Sequence, residues 1–201
     1  MSFSKELRKQ RWDDHRLYHH SRINQSLHFL SALTFVATYV LCFVNAALAA
    51  FLGWFIAMWI RQAGHFFFEP KGFDSVNQLE HEQKEAIKVG YNLKRKVVLL
   101  SVWIATPIFL MLDPSALGLF KEESSHTFFE CLGLLWFVLG IAAVIFRTVH
   151  LFFIADVKTG CVWFTKILTD PFHDLKMYYV APIKLLQGEL IDPMEHVAQK
   201  A

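Results

Sequence analysis

A chain of 201 residues is large enough for one domain or a small helical bundle. Its hydrophobic share of 54%, which includes 20 phenylalanines, exceeds that of soluble domains and indicates a membrane protein. A net charge of +2 gives no support for a nucleic-acid partner. The three scattered cysteines form no Cys-x-x-Cys motif that would indicate a disulfide framework or a thiolate metal site.

The N-terminal segment, residues 1–23, is polar and basic. Trp12 and Tyr18 lie among its charged residues, a composition typical of a tail at the level of lipid headgroups. A cleavable signal peptide is not expected, because such a peptide would place a short apolar region close to the start.

The first apolar run extends from residue 27 to residue 60 without one charged side chain. A helix needs about 20 apolar residues to cross a membrane, so this run is too long for one helix and long enough for two short ones. Asn45 is the expected turn, and the sequence predicts a transmembrane hairpin over 25–66, with helices at 25–43 and 46–66. A buried hairpin in a soluble protein is the alternative, which the charge-free length disfavours.

A polar loop, residues 67–96, follows the hairpin and is expected to be cytoplasmic. Pro70 and Gly72 end the second helix, and the pattern of residues 78–92 predicts an amphipathic helix. The charged side chains of this helix are expected to face solvent; they are Glu80, Glu82, Lys84, Glu85 and Lys88.

The remaining sequence predicts a second transmembrane pair within 97–154. The third span is 97–112, kinked at Pro107, and the fourth is the run 131–146 with extensions on both sides. Three prolines are expected to cut residues 155–201, a cytoplasmic region, into short interfacial pieces; they are Pro171, Pro182 and Pro193. The predicted fold is all-α: a polytopic membrane helix bundle of about four transmembrane helices plus interfacial helices, in one membrane domain over 1–201.

Lysine and arginine residues beside the spans predict the orientation. The segments 1–23, 67–96 and 147–201 carry six each, and the segment 113–126 carries one. Positive charge accumulates in cytoplasmic loops, so both termini of this integral, multi-pass protein are expected in the cytoplasm. The host membrane is either a bacterial inner membrane or the endoplasmic reticulum.

Nine of the ten histidines fall on the cytoplasmic side of this topology. A hairpin returns its two ends to one place, so His28 and His65 are expected to be neighbours although 37 positions separate them. Histidines without cysteines suit iron, zinc or copper, and the sequence predicts a metal site here. Other histidines are expected to be ordinary interfacial residues; they are His81, His126 and His196.

Helix geometry limits which histidines can share an ion. On one straight helix, His20 and His28 would lie about 12 Å apart at a rise of about 1.5 Å per residue, too far for one metal. Either a helix starts near Asn24, a competent N-cap residue, and the preceding histidines fold back, or the site holds two metals. Gly64, beside His65, either allows close helix approach or serves ordinary packing.

Two further pairs of polar residues are candidates with open alternatives. Arg147 and His150 lie at the inner end of the fourth span, where ionisable groups are candidates for binding. Arg147 either holds a carboxylate or extends to lipid phosphates. His173 and Asp174 are either a carboxylate-supported histidine behind a metal ligand or a surface pair.

Two motifs together resemble the 2-hydroxy fatty acid dioxygenase family of small polytopic membrane proteins. The first is His-x-x-x-x-Asn-x-x-x-His, which His19, Asn24 and His28 match, and the second is Gly-His-x-x-x-Glu, which residues 64–69 match. The likeness covers residues 12–75. Relatives often follow the glutamate with a basic-Arg-Pro-Ala stretch, which this chain lacks.

This resemblance implies an Fe(II)-dependent enzyme of fatty-acid α-oxidation, which uses O₂ to cleave the C1–C2 bond of a long-chain 2-hydroxy fatty acid. Asn24 and Glu69 would be catalytic or positioning groups. The implied metal ligands are His19, His20, His28 and His65. Groups that could bind the substrate carboxylate near the membrane surface are Arg22, Arg147 and His150.

Two other functions stay open from the sequence. A di-iron hydroxylase or desaturase would need more histidines, in His-x-x-x-His and His-x-x-His-His arrangements that only residues 15–20 approach. A non-enzymatic lipid-binding protein would need none of the histidines for chemistry. Metal content and oxygen consumption separate these alternatives.

Overall fold

The computed structural model describes residues 1–69, 71–120 and 126–194, with the side chain of Leu93 left out. Within those ranges the chain is helical and has no strand, which confirms the predicted all-α class. The helices are α1 (Phe3–Tyr18), α2 (Arg22–Leu41), α3 (Ala46–Phe68), α4 (His81–Ile87), α5 (Leu93–Leu112), α6 (Phe128–Ile154), α7 (Val157–Tyr178) and α8 (Ala181–Leu186).

The break between α1 and α2 lies at residues 19–21. His19 leaves the helical conformation with φ −118° and ψ 45°, and Ser21 is the N-cap of α2. The Ser21 hydroxyl accepts the backbone N–H of Asn24 at 3.4 Å. The predicted break is therefore confirmed, but it comes slightly earlier than expected, and the N-cap is Ser21 rather than Asn24.

The hairpin of α2 and α3 forms as predicted, with its turn at residues 42–45. Asn45 caps α3, because its side-chain oxygen accepts the backbone N–H of Leu48 at 2.9 Å. The two helices pack closely, and Ser31 Oγ donates to the Ala57 carbonyl at 2.8 Å. Helix α3 is not uniform: it is π-helical at Phe51–Met58 and Gly64–Phe68 and α-helical in between.

Within the described residues, three helices are long and apolar enough to cross a membrane. They are α3, the Lys94–Leu112 part of α5, and α6. Helix α2 is not among them, so the predicted count of four transmembrane helices is not confirmed. Helix α5 begins at Leu93, four residues before the predicted third span, and includes the basic cluster as its first turn.

An apolar core joins α3, α5 and α6 through one tryptophan from each helix. The rings of Trp103 and Trp136 lie 4.9 Å apart, and Trp54 Nε1 donates to the Trp136 carbonyl at 2.8 Å. Gly133 permits the close crossing of α3 and α6, since a Cβ there would lie 2.7 Å from the Ala47 carbonyl oxygen. The core satisfies the indole donor of Trp54 while it buries the rings.

The cytoplasmic helix predicted over 78–92 is shorter in the structure and less exposed. It spans only His81–Ile87, and Asn92 instead caps α5. The prediction that Lys84 faces solvent is wrong: the residue is 1% exposed and its Nζ lies 3.6 Å from Asp74. Lys88 is also largely covered, because its ammonium lies 3.6 Å above the Tyr18 ring.

The C-terminal region differs most from its prediction. Helix α7 runs through Pro171 for 22 residues instead of breaking there, and it packs against α1, α2 and α6. Helix α8 has its proline in the first turn, where the missing N–H costs nothing, and packs against α2. His196 lies outside the described residues.

Candidate metal centre

Three imidazole rings meet where the two ends of the hairpin come together. One nitrogen from each of His19, His28 and His65 lies within 4.8 Å of the others. The ring centroids of His19 and His28 are 4.1 Å apart, and those of His28 and His65 are 4.9 Å apart. His28 is 0% exposed and His19 is 4% exposed, so the cluster lies in the interior rather than at the surface.

Each of these three residues comes from a different part of the backbone. His19 is in the break after α1, His28 is near the start of α2, and His65 is in the π-helical end of α3. The break turns His19 back towards α2, which one continuous helix could not do. The predicted meeting of His28 and His65 is confirmed, because the hairpin brings the end of α3 beside the start of α2.

Gly64 allows α2 and α3 to touch beside the cluster. A Cβ at this position would lie 2.2 Å from Asn24 Oδ1 and 3.6 Å from His28 Cδ2. Asn24 is fully buried, and its amide nitrogen donates to the Tyr18 carbonyl at 2.9 Å. Of the two alternatives for Gly64, the structure therefore favours close helix approach, and Asn24 joins α2 to the end of α1.

A carboxylate supports His65. Glu69 Oε2 lies 2.7 Å from His65 Nδ1, and Glu69 is 7% exposed. Burial raises the pKa of Glu69, and the nearby positive charges of Lys88 and Lys96 oppose that effect. This arrangement is common among metal-binding histidines, whose second nitrogen donates to a carboxylate.

A tyrosine from α7 supports His19. Tyr178 Oη lies 2.9 Å from His19 Nδ1 and 3.2 Å from His15 Nδ1. Burial raises the pKa of Tyr178, so the phenol keeps its proton. Burial also lowers the pKa of His19, which favours the neutral imidazole that a metal requires.

Asp174, also on α7, faces His28. Its Oδ2 lies 3.6 Å from His28 Nδ1 and 2.7 Å from Arg61 NH1. Asp174 is 5% exposed, so it is not part of a surface pair with His173. Tyr178 and Arg61 were not among the residues predicted from the sequence. A signal was present, because polar residues recur at every fourth position on one face of α7: Lys166, Asp170, Asp174 and Tyr178.

His20, a predicted ligand, does not lie with the other three. Its Nε2 is 2.5 Å from the Arg16 carbonyl oxygen and 3.5 Å from Asp74 Oδ2. Adjacent residues in non-helical chain point in different directions, so the break that turns His19 inward directs His20 towards the loop after α3.

The predicted substrate-binding groups have other partners. Arg22 forms ion pairs with Glu189 and Asp192, and so attaches the segment after α8 to the start of α2. Arg147 is 2% exposed, and its guanidinium is 2.5 Å from the Val89 carbonyl and 2.9 Å from His150 Nδ1. Among the described residues Arg147 pairs with no carboxylate; it holds the segment before α5 against α6.

The donor set fits a metal ion. His19 Nε2 and His28 Nε2 are buried and have no hydrogen-bond partner. An unpaired buried polar group costs about 1–3 kcal/mol, and a metal bound to these nitrogens would remove that cost. In the described part of the chain, this is the one group of three or more metal-ligating side chains that lie close enough to hold an ion. Neutral imidazoles suit iron, zinc or copper.

These features define the class: an all-helical protein with helices long and apolar enough to cross a membrane and a buried three-histidine site. Residues 6–77 match the family model Mpo1-like, described as 2-hydroxy-palmitic acid dioxygenase Mpo1-like, which confirms the resemblance found in the motifs. The matched segment contains all three histidines of the cluster but none of the helices from α4 to α8. No curated protein and no solved structure matches the chain.

Tyr178 tests whether α7 belongs to the site. We expect Tyr178→Phe to lower the affinity for a bound transition metal about 10–100-fold, because the hydroxyl that orients the His19 ring is lost. Titration of the purified protein with Fe(II) under nitrogen measures this affinity. Tyr179→Phe is the matched control, since Tyr179 is 61% exposed. Equal affinities in the two variants would contradict a positioning role for Tyr178.

Proposed function

We propose that this chain is an Fe(II)-dependent dioxygenase of fatty-acid α-oxidation, which cleaves the C1–C2 bond of a 2-hydroxy fatty acid and yields an acid one carbon shorter. The observation that carries this proposal is the cluster of His19, His28 and His65, whose nitrogens lie within 4.8 Å of one another. The cluster falls inside the segment that matches a 2-hydroxy-palmitic acid dioxygenase family.

The three histidines of the cluster would hold the iron. A bound Fe(II) with open coordination positions would supply the activation of O₂ and the binding of the hydroxy acid. Three neutral side chains leave such positions free. His20 is not in this ligand set, because its imidazole is paired with Arg16 and Asp74.

The surrounding groups fix the orientation of the three rings. An ionised carboxylate only accepts hydrogen bonds, so His65 Nδ1–H would donate to Glu69 Oε2, which leaves His65 Nε2 to bind the metal. If His19 binds through Nε2, its Nδ1 donates to Tyr178, whose hydroxyl then donates to His15. Asn24 has no atom in the cluster; it fixes the backbone of α2 relative to α1 and α3.

The substrate and the location form part of the same proposal. A long-chain hydroxy acid partitions into membranes, and three helices of this protein are able to cross one. The site would lie at one membrane surface, with both termini cytoplasmic, if α2 crosses as a fourth helix. O₂ and membrane lipid are the remaining partners, and the host membrane is a bacterial inner membrane or the endoplasmic reticulum.

Oxygen consumption tests the reaction directly. Purified protein loaded with Fe(II) under nitrogen is mixed with aerated 2-hydroxypalmitate or palmitate. We expect equimolar loss of O₂ and 2-hydroxypalmitate and the appearance of pentadecanoate, because only the hydroxy acid can chelate the metal through a carboxylate oxygen and its 2-hydroxyl oxygen. Palmitate should give no consumption. Equal consumption with both acids, or none with either, would refute the proposed reaction.

A further inference from the structure

An open apolar groove runs along the bundle between α3, α5 and α6. Its volume is about 470 Å³, and its walls include Phe55 and Trp59 of α3, Trp103 and Pro107 of α5, and Trp136 of α6. Ligand sites typically have volumes of about 300–1,000 Å³ and mostly apolar walls. The groove is therefore large enough for an alkyl chain, and its aromatic walls suit one.

Helix α3 contributes both to this groove and to the histidine cluster. Trp59 precedes His65 by six residues, which is about 9 Å along α3. On α5, Lys96 lies seven residues before Trp103 and eleven before Pro107. At about 100° per residue these three positions fall within about 20° of one line along the helix, so Lys96 lies on the groove side of α5.

Lys96 lies close to the cluster and has no carboxylate partner. Helix α5 begins five residues after Lys88, whose ammonium lies 4.0 Å from Glu69 Oε1, so the first turn of α5 lies near the cluster. In the part of the chain that the structure describes, the Lys96 ammonium forms no hydrogen bond or ion pair. Other cations near the cluster are occupied: Lys88 pairs with Glu85 at 3.1 Å, and Arg61 pairs with Asp174 at 2.7 Å.

We propose that the groove holds the alkyl tail of a long-chain carboxylic acid and that Lys96 binds its carboxylate beside the histidine cluster. This proposal rests on the proposed function and adds to it the residues that recognise the substrate. It also replaces Arg22 and Arg147, which have other partners, as the carboxylate-binding groups.

The arrangement predicts how chain length is selected. The groove begins about 10 Å along α5 from Lys96, the distance that seven helical residues span. The first carbons of a bound acid would therefore cross from Lys96 to Trp103, and only the distal part would enter the groove. Long acids gain the apolar contacts of the groove, and short acids do not reach it.

The first experiment measures binding without turnover. Full-length protein in detergent is titrated with tritiated palmitate and with tritiated hexadecanol, which has the same tail and no charge. Wild type should bind palmitate more tightly than hexadecanol. Lys96→Met should lower the affinity for palmitate about tenfold and leave the affinity for hexadecanol unchanged. Lys94→Met is the matched control, because Lys94 is exposed on the same helix turn.

The second experiment locates the tail. Palmitate brominated at its terminal carbon should quench tryptophan fluorescence in wild type, because Trp59, Trp103 and Trp136 line the groove. Ile104→Trp should narrow the groove. It should therefore lower the affinity for palmitate more than the affinity for octanoate, both measured with tritiated ligands. Ile108→Trp is its control, since Ile108 is 61% exposed and does not line the groove.

Several results would overturn the proposal. Equal wild-type affinity for palmitate and hexadecanol, or equal losses in the two lysine variants, would remove Lys96 as the anchor. Displacement of the brominated acid by phosphatidylcholine but not by unlabelled palmitate would make the groove a lipid-contact surface. Since binding needs no iron, an acid that binds through Lys96 but supports no oxygen uptake would refute the proposed reaction alone.

Discussion

Replacement of His28 by alanine is expected to abolish iron binding and turnover while the metal-free protein stays folded. Changes in groups that merely support a ligand cost about 10–100-fold in metal affinity, so loss of a ligand should cost at least about 100-fold. Both ring nitrogens of His28 are buried without a hydrogen-bond partner, so the variant loses no hydrogen bond on folding. The cost to the metal-free fold is limited to the cavity.

Thermal unfolding with and without iron separates these effects. A ligand that binds only the folded state, at a free concentration about 100 times its Kd, raises the free energy of unfolding by about 2.7 kcal/mol. Fe(II) should therefore raise the melting temperature of wild type and leave that of His28→Ala unchanged. His65→Ala should behave in the same way.

His20→Gln is the informative control for the ligand set. It lies next to His19 in sequence, but its ring contacts Arg16 and Asp74. We expect this variant to keep its iron-dependent stabilisation and its oxygen consumption. If it loses iron as completely as His28→Ala does, His20 belongs to the ligand set and the three-histidine assignment is wrong.

The part of the site that was predictable from sequence depends on short-range geometry. The charge-free run and Asn45 predicted a hairpin, and a hairpin requires His28 and His65 to meet. The rise of a helix showed that His20 and His28 could not bind the same ion if both lay on one straight helix, so a break was one of the two predicted outcomes. The structure has this break at residues 19–21.

The contribution of α7 could not be predicted in the same way. Proline inside a helix usually kinks or breaks it, and that rule placed breaks in the C-terminal region. Helix α7 nevertheless continues through Pro171 and carries Asp174 and Tyr178 to the cluster. Its packing against α1, α2 and α6 is a tertiary effect, which local sequence rules do not include.

Hydropathy alone does not determine the number of transmembrane helices, because α2 carries polar residues of the site. Helix α2 has 20 residues, enough to cross, but it is not among the helices that qualify by hydropathy. Several of the polar residues that lower its hydropathy are buried: Asn24, Gln25, His28 and Ser31. The sequence therefore predicts four crossings only if these side chains are assigned to the protein interior.

Gly64→Ala is expected to have the second-largest effect, through the contact between α2 and α3. Alanine normally stabilises a helix interior by about 1 kcal/mol relative to glycine. Here the new Cβ would lie 2.2 Å from Asn24 Oδ1, a distance that requires the helices or the amide to move. Overpacking of this kind costs about 1–3 kcal/mol, so we expect net destabilisation together with weaker iron binding.

A double variant separates this steric clash from any other role of the glycine. Asn24→Ala removes the amide that the new Cβ meets, so Gly64→Ala should cost much less in that background than in wild type, a coupling that a double-mutant cycle measures. Gly72→Ala should be nearly neutral, because a Cβ at that position meets nothing within 4 Å. If Gly64→Ala costs the same in both backgrounds, the contact with Asn24 does not limit how closely the two histidine-bearing helices approach.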